Sequence, residues 1–199
     1  MHCRPRHTLG STVLPLVACV ALTAPTWPAE AAPVDETVFP DVWVGDGCEL
    51  RRIGMGTRRV ALLPMYRIAL YCEKKATDGE TVSNADRPMG LRIRIVSSLI
   101  TAKRFRSFAE EAFARTAPRP RPQLRHRIGR FLRAIESTSL NRGDVLTIRY
   151  HPKRGTVVEK NGKSLVTVDS LEFKRALFGI WLSGQAIDPS LRDELLGKR

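Results

Sequence analysis

Along most of the chain, apolar and polar residues alternate in short runs, and in three places they switch to helical spacing. Residues 37–44, 48–53, 58–63 and 65–72 are β-prone. Val38, Val42 and Val44 share one face of the first run, and Pro40 marks it as an edge strand. Pro64 separates the third run from the fourth, which read as two short strands or one broken strand. Residues 73–88 are polar and carry Gly79, Asn84, Asp86 and Pro88, so they read as a loop with little regular structure. Over 90–96, Leu91, Ile93 and Ile95 alternate with Arg92 and Arg94, a half-buried strand with its arginines on the wet face.

The period then changes. Phe105, Phe108, Ala109, Ala112 and Phe113 lie on one face of a helix predicted over 102–115, started at Ser98 or Thr101. That face packs a core, and part of it is a candidate pocket wall. Pro118, Pro120 and Pro122, alternating with arginines, end the helix in an extended basic connector. Leu124, Ile128, Phe131, Leu132 and Ile135 restore helical spacing over 124–135. Strands follow at 145–150, 156–159 and 165–168, the last two joined by Asn161-Gly162, a preferred hairpin turn. Asp169 or Ser170 caps a helix over 171–182, and Asp188-Pro189 opens a short last helix. A meander needs no crossover, and the helices come in blocks. The fold class is therefore α+β, a mainly antiparallel sheet with a layer of helices on one face.

The first residues read as an address, not as fold. Arg4, Arg6 and His7 precede an apolar stretch over 12–24, and Ala29-Glu30-Ala31 has the form of a cleavage site. Residues 1–31 are predicted to be a signal peptide cut after Ala31, which leaves 32–199 as one domain exported to the periplasm. Leu16-Val17-Ala18-Cys19 offers the competing reading of a lipoprotein anchored through Cys19. The net charge of +13 would suit nucleic acid, but an exported protein seldom meets it. A basic soluble surface, or weak contact with an anionic membrane surface, fits better. Cys48 and Cys72 flank the β-prone centre in an oxidising compartment, where a disulfide between them is permitted.

Little catalytic chemistry is visible. Gly54-Met55-Gly56 lacks the third glycine and the following helix of a dinucleotide site. There is no Gly-x-Ser-x-Gly elbow, and no serine stands beside a credible His and Asp. His126 and His151 are isolated and read as surface residues, so no metal and no cofactor are expected. One constellation remains. Gly54 and Gly56 permit a close backbone approach just before Arg58, and Tyr66 follows eight residues later. An inward Arg58 requires an anion, either a structural carboxylate or an acidic ligand. Its planar fork matches a carboxylate, and a tyrosine hydroxyl adds a third donor.

These stretches carry a resemblance. Gly54-Met-Gly-Thr-Arg58 with Tyr66-Arg-Ile-Ala-Leu-Tyr71 resembles the chalcone isomerase-like proteins, most of all an exported bacterial branch. So do Leu140-Asn-Arg-Gly-Asp-Val-Leu-Thr-Ile-Arg-Tyr150, Phe173-Lys-Arg-Ala-Leu-Phe-Gly-Ile-Trp181 and the run from Ile187 to Gly197. The resemblance implies a ligand cleft between an antiparallel sheet and its helices. It also implies one of two functions: cyclisation of a chalcone, or the holding of a fatty acid with an arginine and a tyrosine at its carboxylate. Arg58 falls on the arginine of both branches. Tyr66 falls where the isomerases have a threonine and the fatty-acid binders a tyrosine. Phe105 and Ala112 fall where the plant enzymes use a tyrosine and an asparagine. The expectation is a non-catalytic or weakly catalytic binder of an amphipathic carboxylate, with Arg58 and Tyr66 at the acid and Phe105, Phe108 and Ala112 along the tail. The alternatives are an isomerase of the intramolecular lyase type, in which Arg58 and Tyr66 would act, and an assembly factor of the cell envelope.

Overall fold

A computed structural model describes residues 37–45, 47–75 and 77–198. The predicted signal peptide, its cleavage site and Cys19 lie outside the described residues. Seven strands follow one another as β1 (Val42–Gly45), β2 (Cys48–Val60), β3 (Leu63–Cys72), β4 (Met89–Ile95), β5 (Val145–His151), β6 (Gly155–Lys160) and β7 (Lys163–Val168). Each pairs antiparallel with the next, so the sheet order is the chain order. Among the described residues, five helices, α1 (Gly79–Asn84), α2 (Ala102–Thr116), α3 (Pro122–Glu136), α4 (Leu171–Leu182) and α5 (Pro189–Leu195), accompany the sheet in an α+β fold.

The main core lies between the helices and the sheet face that carries Ile68, Leu70, Leu91, Ile93, Leu146 and Ile148. Phe113, Phe131 and Phe173 bring α2, α3 and α4 together, with ring centroids 5.8 to 6.0 Å apart. Lys174 is fully buried within this layer. Its ammonium donates to the carbonyls of Val82, Ser83 and Ala85 at 2.7 to 3.0 Å and so fastens the C-terminal end of α1 to α4. Burial pushes its pKa down to about 8, yet only the protonated amine has three donors for the three carbonyls.

Five local expectations are corrected. The expected strands 48–53 and 58–63 are parts of one strand, β2, which runs on through Gly54 and Gly56. The chain turns at Ala61-Leu62, and Pro64 sits inside β3 opposite Arg59, next to a register shift where its missing N–H is tolerated. Within the expected loop 73–88, Asp78 accepts a hydrogen bond from Thr81 N–H and starts α1. Apolar periodicity cannot announce a helix of six residues.

The other two corrections concern the far face of the sheet. Residues 37–44 form a strand only from Val42 onward, and its valines are not the residues that cover the sheet. Val44 points to solvent, while Trp43 covers Tyr71 edge-on at 5.3 Å. Phe39, Leu50, Ala69 and Tyr71 make a second small core there. Arg92 is not on a wet face, because its guanidinium lies 5.2 Å from the Trp43 ring, and Arg149 lies 5.3 Å from it. Cys48 packs against this second core and Cys72 within the main one, so opposite faces keep them unbonded to each other.

Candidate functional site

Gly54, Gly56 and Arg58 alternate along β2, so all three present to the helix-covered face. Added Cβ atoms at Gly54 and Gly56 would stand 2.1 Å from the Glu194 carbonyl oxygen and 2.1 Å from its carboxylate. The glycines are thus the bed on which α5 lies. Two residues on, Arg58 meets the start of the same helix. Its Nη1 donates to Asp188 Oδ2 at 3.0 Å and to the Arg59 carbonyl at 2.6 Å. The other carboxylate oxygen of Asp188 caps α5 by accepting from Leu191 N–H at 3.1 Å. One carboxylate therefore holds the helix start and the strand arginine together.

The β2–β3 register sets Tyr66 directly opposite Arg58. Tyr66 is buried, and its hydroxyl oxygen accepts from Trp181 Nε1 of α4 at 3.0 Å. Burial pushes its pKa well above the ordinary tyrosine range, so the hydroxyl stays protonated. No acceptor for that proton lies within hydrogen-bond reach among the described residues. Arg58 Nε is likewise buried without a partner. Arg58 and Tyr66 both line a cavity of about 220 Å³ whose other walls include Val60, Leu63, Met65, Ile100, Phe105 and Phe108. Leu99 and Arg104 stand at its edge, and Arg104 Nη1 donates to the Leu99 carbonyl at 3.0 Å. Among the described residues, Arg104 has no carboxylate partner.

The fold therefore brings Arg58, Tyr66, Phe105 and Phe108 to one cavity. Ala112 is not with them. It lies two turns further along α2, 1 % exposed in the main core, and lines no part of that cavity. Sequence reasoning also left Arg58 without an acid, which Asp188 supplies from 130 residues away. It placed Trp181 in the core without its role. A buried indole N–H seeks an acceptor, and a tyrosine facing inward was the signal that could have paired them.

Residues 31–197 match the family described as chalcone isomerase-like. The chain belongs to that family. Among solved structures, the chalcone isomerase-like domain is similar to the crystal structure of the fatty-acid binding protein of Arabidopsis thaliana. The two share 17% identity and a TM-score of 0.64, over 78% of this chain and 89% of that one. At that identity the likeness is one of fold. No curated protein matches the sequence. Chemically, this chalcone isomerase-like cavity offers donors only. Tyr66 donates a hydrogen bond, Arg58 and Arg104 give positive charge, and Phe105 contributes a ring with nothing to donate or accept. No group of three His, Cys, Asp or Glu side chains gathers among the described residues.

Proposed function

We propose that the protein binds a fatty acid or a similar amphipathic carboxylate in this cavity, as an exported protein of the periplasm. The observation that carries the reading is an apolar cavity bordered by a protonated hydroxyl and a guanidinium nitrogen that lack acceptors. A carboxylate at this wall accepts from the hydroxyl and faces the guanidinium charge, while the phenyl rings of Phe105 and Phe108 suit a hydrocarbon tail. Asp188 already balances the charge of Arg58, so the second cation, Arg104, sets the sign of the site. At about 30 Å³ per water-sized group, 220 Å³ holds only part of a long acyl chain. The reading therefore favours a short or medium chain, or a long one whose end emerges past Leu63 and Leu99.

Native mass spectrometry of protein purified from its host tests this directly, and a co-purifying carboxylate is the expected result. Titration of the delipidated protein with fatty acids of graded length gives the affinity. Arg104→Ala and Tyr66→Phe should each weaken binding roughly fivefold to tenfold, the worth of one hydrogen bond or charge at such a site. Arg58→Ala should weaken it more, and its thermal melting must be read alongside because the ion pair to Asp188 goes too. Absence of an adduct together with absence of binding at every chain length would end the proposal. Loss of a chalcone faster than its spontaneous cyclisation would move the site to the isomerase reading.

A further inference from the structure

The hairpin that carries Arg58 and Tyr66 ends in an apolar tip. Leu62 is 90 % exposed, Leu63 57 % and Val60 54 %; Leu99, beside them, is 45 % exposed. Val60, Leu63 and Leu99 also line the cavity, so tip and cavity wall form one continuous apolar surface. Arg59, Lys103 and Arg104 are exposed around it. No Asp or Glu occurs in residues 57–72 or 96–109. A contiguous apolar patch rimmed by cations marks an interaction surface. Its turn is also built against local preference, with Ala61 at φ 52°, where hairpins favour glycine or asparagine.

We infer that this tip docks the protein on a bilayer with anionic headgroups. Leu62 and Leu63 enter the interface, and Arg59, Lys103 and Arg104 meet the headgroups. Charge decides the occupant. Two copies meeting tip to tip would press these cations together, whereas an anionic lipid surface neutralises them and buries the leucines in the same step. Docking in this way points the mouth of the cavity at the lipid, a route by which an acyl ligand could enter without crossing water. That consequence rests on the binding proposed above, and the docking itself does not.

Flotation of the full mature chain with phosphatidylcholine vesicles, with and without phosphatidylglycerol, provides the test. Wild type is expected to float with the anionic vesicles and far less with the neutral ones. Leu62→Ser should reduce that binding by at least about tenfold, from the transfer of one leucine side chain. Arg59→Gln should reduce it roughly fivefold, the effect of one basic residue near such a surface. Leu62 lines no part of the cavity, so fatty-acid affinity should be unchanged in Leu62→Ser, which separates this failure from failure of the binding proposal. Wild-type affinity for anionic vesicles in Leu62→Ser would overturn the inference, since generic charge would then suffice. So would absence of vesicle binding, whether the protein is monomeric or self-associates through the tip by sedimentation.

Discussion

Two hairpins of the same sheet turn through two residues each, and they are built from opposite chemistry. Between β6 and β7, Lys160 pairs with Lys163 and the turn is Asn161-Gly162, both at positive φ. Asn161 Oδ1 accepts from Val145 N–H at 2.8 Å, and its amide donates to Asp144 at 2.7 Å. Between β2 and β3, Val60 pairs with Leu63 and the turn is Ala61-Leu62. The first hairpin is built to be stable in water. The second is glycine-rich at its base, charged in its middle and apolar at its tip. The glycines seat α5, the charge of Arg58 meets Asp188 at the start of that helix, and the tip exposes leucines beside the cavity.

The largest effect is expected at the base. β6 carries Val157 and Val158 in its body, whereas β2 carries Gly54 and Gly56. Gly54→Val would drive a side chain into the carbonyls of Glu194 and Leu195, backbone atoms that cannot swing aside. To relieve the clash, α5 must lift and expose Leu191 and Leu195, both now buried. A loss of about 3 kcal/mol or more in urea unfolding is expected. A loss below about 1 kcal/mol would show that α5 is not seated on these glycines.

Exchanging the turns comes next. Replacing Asn161-Gly162 by Ala-Leu removes the two Asn161 side-chain hydrogen bonds and forces a leucine to φ 78°. The expected cost is about 2–3 kcal/mol by the same measurement. An equal cost for placing Asn-Gly at 61–62 would mean that the two turns do not differ in design. The expected result there is no loss at all.

This contrast also shows what a sequence can disclose. Asn161-Gly162 was legible because its two residues alone dictate the turn. Ala61-Leu62 was not, because nothing local favours a turn there. Pro64 drew the break instead, although a bulge accommodates it. The meander of the last three strands and the three long helices were legible from period, while the seven-strand order was not, and α1 was too short to show a period. At the site, Arg58 and Tyr66 were found as neighbours in sequence. Asp188, Trp181 and Arg104 were not, since packing of α5, α4 and α2 is what brings Asp188 to Arg58, Trp181 to Tyr66 and Arg104 to the cavity. Ala112 was assigned to the tail because it falls on the apolar face of α2 where the plant enzymes have an asparagine, and period says which face is buried but not which part of that face borders a cavity.

The middle of the β2–β3 hairpin is tested by Asp188, which pairs with Arg58 from α5. Asp188→Ala loses the α5 cap and strips the carboxylate from a half-buried arginine, at a cost of about 1–2 kcal/mol. Asp188→Asn keeps a capping oxygen and removes the charge. If the ion pair matters to the site, the asparagine variant should recover most of the stability and bind a carboxylate more tightly, because Arg58 is then unbalanced. Equal stability loss in both variants, with unchanged affinity, would reduce Asp188 to a residue of the ion pair alone.

The smallest effect is also the most diagnostic. Ala61 at φ 52° carries about 1–2 kcal/mol of left-handed strain. Glycine would remove it, and would return about 0.5–1 kcal/mol through the greater freedom of the unfolded chain. The difference predicts that Ala61→Gly stabilises the protein by about 0.5 kcal/mol, measured as a raised urea midpoint with unchanged slope. The same change at Asn161 has the opposite expected sign, because its side chain is bonded to Val145 and Asp144. A stabilising glycine at 61 would mean that the natural turn is not the most stable one its backbone allows. A destabilising one would mean that the Ala61 methyl is in a favourable contact, and the strain argument for the tip would then fall while the exposure of Leu62 still stood.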